Sequence, residues 1–140
     1  MKYICDAPDR KTWFGIETEV EAERESASMQ HAVEKYFRRE QEKATRSYRP
    51  TSSRFIEQNI GLRAHQQRTM PLFLTLRDHD GNGLATAMLP PGGKADPGFQ
   101  VIIVGARNTD PYAEHGEAIE TLGDHYGLEL DRASCYPYRR

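Results

Sequence analysis

The residue types able to do chemistry in this chain are few and scattered. Five histidines (His31, His65, His79, His115, His125) and two cysteines (Cys5, Cys135) stand far apart in the sequence. No His-x-x-x-His, Cys-x-x-Cys or Glu-x-x-His spacing occurs, so no local motif builds a metal centre, and no cofactor is implied. A cysteine nucleophile needs a base that folding brings close. An idle or buried thiol is the simpler reading for both Cys5 and Cys135, which could pair only if the two ends of the chain meet. His115 shares helical spacing with Ile119, Leu122 and Tyr126 and reads as a residue at the edge of the core, as does His31 beside Ala32 and Val33. The other three histidines fall in polar surroundings.

Two loops resemble ligand motifs and fail at the decisive position. Asp78-His79-Asp80-Gly81-Asn82-Gly83 matches the first half of a calcium loop, but its twelfth position is Leu89 where a bidentate carboxylate belongs. Asp, Asn and Gly are equally the residues of a tight hairpin turn, and a turn is the expectation. Pro90-Pro91-Gly92-Gly93-Lys94 lacks the glycine spacing, the Ser or Thr after the lysine and the following helix of a phosphate loop. It reads as a plain connection.

Charge is segregated along the chain. Residues 1–31 carry a net −3, residues 32–68 a net +5 and residues 69–140 a net −4, for −2 in total. Arg38, Arg39, Lys43, Arg46, Arg49 and Arg54 in the basic middle form a candidate polyanion-binding ridge, with Tyr36, Tyr48 and Phe55 nearby for stacking on bases. The competing reading is a solvated helix face, and a second copy's acidic helix start could meet these cations in an antiparallel helix pair. A candidate pocket at the end of the strand near residues 99–105 would join Arg107, Asp110 and His115.

The elements that must position these groups are legible from periodicity. Pro71–Gly105 contains three apolar runs of strand length separated by turn chemistry, the pattern of an antiparallel meander. Lys2–Cys5 and Thr12–Glu17 form a hairpin with Trp13, Phe14 and Ile16 toward the core. A long helix is expected from Thr18 to Arg46, opened by the capping box Thr18/Glu21 and carrying Met29, Ala32, Val33, Tyr36 and Phe37 on one face. A strand running on through Val20 and Ala22 is the competing register. A short helix should then run to about Asn59 and stop at Gly61, and Leu62–Thr69 stays unassigned. Asp110, Pro111 and Gly127 punctuate a helix whose apolar face is Ala118, Ile119, Leu122 and Tyr126. Leu128–Leu130 can be a last strand joined by a right-handed crossover, and the basic, aromatic tail should pack loosely.

These expectations sum to one α+β domain over residues 1–140. It is a mostly antiparallel sheet of five or six strands covered on one face by the long helix and the C-terminal helix. Only 37% of residues are hydrophobic, a lean supply that suggests either long solvated helix faces or surface finished by a partner. The N-terminus lacks an apolar leader, and no run approaches the ~18 apolar residues of a membrane span. The functional expectation is a non-catalytic cytoplasmic binding or interaction module that self-associates or meets a protein partner away from membranes. The alternatives are a nucleic-acid-associated protein using the basic face, and an enzyme with its site at the end of strand 99–105.

Overall fold

Residues 1–135 and Pro137 are described by the computed structural model. The chain opens with a hairpin of β1 (Lys2–Ala7) and β2 (Lys11–Ile16), whose turn holds Asp9 and Arg10 at positive φ. The meander follows as expected, with β3 (Leu72–Arg77), β4 (Gly83–Leu89) and β5 (Ile102–Gly105). All five strands join one sheet in chain order, each antiparallel to its neighbour. The tight turn between β3 and β4 uses Asp78 Oδ1 to accept the N–H groups of Asp80 (3.0 Å) and Asn82 (2.9 Å), with Gly81 at φ 83°.

Among the described residues the sheet has five strands. The sixth expected at Leu128–Leu130 does not form, so there is no crossover. Gly127 caps the preceding helix at φ 71°, and the Leu128 N–H turns back to donate to Gly123 O at 2.8 Å. Leu130 then joins the core without strand pairing, its carbonyl accepting from Tyr112 Oη at 2.9 Å. The tail beyond Pro137, and Tyr136, lie outside the described residues.

Among the described residues four α-helices complete the fold: α1 (Glu19–Met29), α2 (Val33–Ser47), α3 (Phe55–Thr69) and α4 (Tyr112–Tyr126). The capping box at Thr18 and Glu21 starts α1. The single long helix expected here is instead a helix pair, because Gln30 adopts the left-handed conformation (φ 52°, ψ 51°) and reverses the chain. Ser26 Oγ accepts the Glu34 N–H at 2.8 Å across the break, supplying the start of α2 with a cap. Helical periodicity could not reveal the break, since Met29, Val33 and Phe37 are buried on either side of it. Gly61 does not stop α3, which runs on to Thr69. A Cβ at Gly61 would lie 2.0 Å from Tyr48 Oη, so this glycine serves close packing rather than termination.

The helices lie on both faces of the sheet, correcting the expectation of one covered face. Leu74, Leu76, Ala87 and Ile103 pack with Ala118, Ile119 and Leu122 of α4. Ile16 and Phe73 pack with Ala22, Val33 and Phe37 of α1 and α2. Strands apolar at both parities need cover on both sides, and each large buried side chain contributes about 1.5–3 kcal/mol. Trp13 anchors the α4 side, its Nε1–H donating to Ala118 O at 2.8 Å.

The α1 side contains a charge. Glu25 is 0% exposed, and its carboxylate accepts from Thr75 Oγ1 (2.5 Å), Thr86 Oγ1 (3.1 Å) and the Arg77 guanidinium. Arg77 is held in turn by Thr75 Oγ1 (3.1 Å) and Gly81 O (3.0 Å). Removing one partner of such a pair strands a buried ion, so Arg77→Ala should cost about 3–5 kcal/mol of stability. The measurement is the urea midpoint and slope; a loss below about 1 kcal/mol would show that Glu25 does not depend on Arg77.

Candidate functional site

The strand register sets up the site. Thr75 pairs with Thr86 and Thr86 with Val104, while Phe73 pairs with Met88 and Met88 with Ile102. These two rows lie side by side on the face that α1 and α2 cover. Toward β5 the helices leave a cavity of about 300 Å³. Phe73, Thr86, Met88, Ile102 and Val104 form its floor, and His31, Ala32, Val33 and Tyr36 its roof. Ala87, Asn108 and Pro137 complete the lining.

The roof is pinned to the floor by one polar chain. Thr86 spends its hydroxyl proton on Glu25, so its oxygen accepts from His31 Nε2 at 2.8 Å. His31 Nδ1 is then the unprotonated nitrogen and accepts the Val33 N–H at 3.4 Å. The network therefore assigns a neutral imidazole with its proton on Nε2. Burial holds His31 below the ordinary histidine range, outweighing the attraction of the Glu25 charge.

Non-glycine residues in the left-handed region gather around this cavity. Gln30 (φ 52°) precedes His31, and Arg107 (φ 57°) and Asn108 (φ 60°) form the turn after β5. The two segments are joined by Arg107 Nε–H donating to Gln30 Oε1 at 2.9 Å. Such conformations cost about 1–3 kcal/mol each for residues other than glycine and are concentrated at functional sites.

The pocket expected from Arg107, Asp110 and His115 is not assembled. Arg107 reaches Gln30, whereas Asp110 accepts from the Tyr112 N–H (2.9 Å) and Arg132 Nε (2.7 Å) at the start of α4. These bonds hold the Asp110 carboxyl below its usual range. His115 lies across the sheet on α4, where its Nδ1 accepts from Lys11 Nζ at 3.1 Å. Burial first, then the Lys11 charge, lowers the His115 pKa.

The basic ridge stays exposed, from 48% at Arg38 to 81% at Arg54, and takes its carboxylate partners from its own chain. Arg38 meets Glu19, Glu23 (2.8 Å) and Glu34 at once. The acidic-against-basic pairing anticipated between two copies is thus made within one chain, by α1 folding back on α2. Lys43 and Arg39 approach Glu40 at 3.6 and 3.9 Å, and Arg54 approaches Glu57 at 3.6 Å. Arg49 donates to the carbonyls of Arg46 and Tyr48. Burial raises the thiol pKa of both Cys5 and Cys135, which keeps them protonated and poorly nucleophilic at neutral pH.

Glu25, Arg77, Thr75 and Thr86 were not among the candidates drawn from the sequence. The signal is present in Leu72–Arg77, where Thr75 and Arg77 are polar at one parity beside Phe73, and in Gly83–Leu89, where Thr86 stands between Leu84 and Met88 at its parity. Comparisons with protein-family models, curated proteins and solved structures give no match to this chain.

The two lowered histidines make stability depend on pH. In the unfolded chain each binds its proton near pH 6.5, and in the folded protein only at lower pH. Their contribution is complete above about pH 6.5 and is lost as pH falls toward the folded values. The urea midpoint should therefore fall between about pH 7.5 and 5, and His31→Gln with His115→Gln should flatten that fall. A midpoint that is level over this window contradicts the assignment.

Proposed function

We propose that the chain is a small binding module whose site is the cavity between the start of α2 and strands β4 and β5, and whose ligand is small and mainly apolar. The carrying observation is the cavity itself, roofed by a helix start that the Glu25–Thr86–His31 chain ties to the sheet. Its volume of about 300 Å³ sits at the lower end of the ~300–1,000 Å³ range of ligand sites, and its apolar lining with a few fixed polar groups matches their composition. Both nitrogens of His31 are engaged and Glu25 is sealed from solvent. That arrangement favours recognition over proton abstraction.

A separate observation favours self-association as a second reading. On α3, Phe55, Ile56 and Ile60 are 76%, 72% and 64% exposed, and no residue of that helix is fully buried. A second copy's α3 is the simplest cover for such side chains, given that the charge pairing of α1 with α2 is already satisfied internally.

The cavity reading is tested with 2-naphthol, a neutral aromatic probe, followed by amide shifts. Perturbations should concentrate on β4, β5 and residues 31–36 and vanish in Val104→Trp, which fills the floor, with the urea midpoint held. Binding that persists unchanged in Val104→Trp, or an absence of shifts at these amides, overturns it. For α3, sedimentation should show a concentration-dependent dimer that Ile56→Glu with Ile60→Glu dissociates. A clean monomer at high concentration ends that reading.

A further inference from the structure

From the cations beside its His31–Ala32 wall and next to Asn108, we infer that the cavity takes an amphipathic anion: a short acyl or aryl group inside, with a carboxylate-type head held outside by Lys35, Arg39 and Arg107. This rests on the cavity being a ligand site and adds the class of ligand. The cavity shares His31 and Ala32 as a wall with an open groove along the first turns of α2, lined also by Lys35, Arg39 and Glu42. The Arg39 guanidinium lies 4.8 Å above the ring of Tyr36, itself a wall of the cavity. Arg107 comes from the other side, next to Asn108, and is tied by its Nε to Gln30 beside His31.

These three cations differ from the rest of the basic region in what neutralises them. Arg38 is saturated by three carboxylates, and it also occupies Glu34. Among the described residues, neither Lys35 nor Arg107 has a carboxylate within ion-pair distance, and Arg39 has only Glu40 at 3.9 Å. The groove lining carries Lys35, Arg38 and Arg39 against Glu34 and Glu42, so cations exceed anions there by one. A neutral apolar ligand would leave these charges solvated and unused. A carboxylate emerging past His31 would gain charge-assisted hydrogen bonds from them, while its chain would displace water from Phe73, Met88, Ile102 and Val104.

The occupant is a single dissolved molecule rather than a bilayer lipid, because the apolar volume is a small recess under a helix and not an exposed apolar face. Three probes of equal chain length separate head from tail: octanoate, octan-1-ol and octylamine, titrated by calorimetry and amide shifts. Octanoate should bind tightest and octylamine weakest. In Lys35→Gln/Arg39→Gln/Arg107→Gln the octanoate affinity should drop about tenfold, to the level of octan-1-ol, whose own affinity stays unchanged. Raising salt should narrow the wild-type difference in the same direction. Equal binding of octanoate and octan-1-ol by the wild type would overturn the anion inference and leave the cavity reading standing. An octanoate preference that survives the triple substitution would overturn the assignment of these cations. Binding of none of the three would remove the cavity reading and this inference together. Co-sedimentation with phosphatidylglycerol vesicles, unaffected by saturating octanoate, would overturn the choice of a dissolved ligand.

Discussion

A charge that water cannot reach constrains everything packed around it. Glu25 projects from α1 into the sheet face, and the structure must bring three donors to it or lose several kcal/mol to desolvation. Side chains alternate along a strand, so slipping β3 by one residue would present Leu74 or Leu76 to the carboxylate in place of Thr75. The same slip in β4 would replace Thr86 with Ala85 or Ala87. A hydrophobic face tolerates small errors of alignment, whereas a buried carboxylate does not. The contribution of this pair is therefore chiefly to alignment: against well-packed apolar residues it adds little net stability, yet it penalises every register but one.

That alignment propagates to the site. Thr86 has one hydroxyl proton, and giving it to Glu25 leaves its oxygen as an acceptor, which in turn selects the tautomer of His31. His31 sits between the left-handed Gln30 and the first turn of α2, so its bond to Thr86 fixes where that helix begins over the sheet. Ser26 and the Glu19–Glu23–Arg38 cluster hold the two helices against each other from outside. The helix start can then neither slide toward β5 nor lift away without breaking polar contacts.

The strands and the punctuated helices were legible because each carries a local signal. Alternation and turn residues mark the hairpin and the meander, and the Thr18/Glu21 box and Gly127 mark helix ends chemically. What was not legible depended on contacts between distant residues. Gln30 has no turn signature, and the apolar spacing of Met29, Val33 and Phe37 passes through the break as if the helix were continuous. Gly61 looks like a terminator until Tyr48 is seen lying against it. The two-sided cover was available in principle, since Leu72–Leu76 is apolar at both parities. The candidate site was the least visible part. In the sequence His31 looks like a core-edge residue, and Glu25 is the last of five alternating glutamates whose burial no local pattern predicts. Arg107 was correctly placed near the end of β5, but its companions Asp110 and His115 are engaged elsewhere.

The cavity also has to be explained as something the packing fails to remove. A dry void of about 300 Å³ would cost about 7 kcal/mol at the ~24 cal/mol per Å³ found for cavities in cores. Opening to water lowers that figure, but apolar walls still face solvent to no benefit of the fold. Packing elsewhere on this face is tight by comparison: the rings of Phe37 and Phe73 meet at a tilt with centroids 5.1 Å apart, and Met29 comes so close to Gly83 that a Cβ there would lie 2.7 Å from its sulfur. The chain thus packs closely at these contacts while setting the medium-sized Val104 and Ile102 beneath the roof, where one larger side chain would close the gap. Collapse of the roof is barred by the His31–Thr86 tie and by Phe37 seated on Phe73. The space is therefore held open by the same contacts that hold the fold, which is the physical condition for a preformed site.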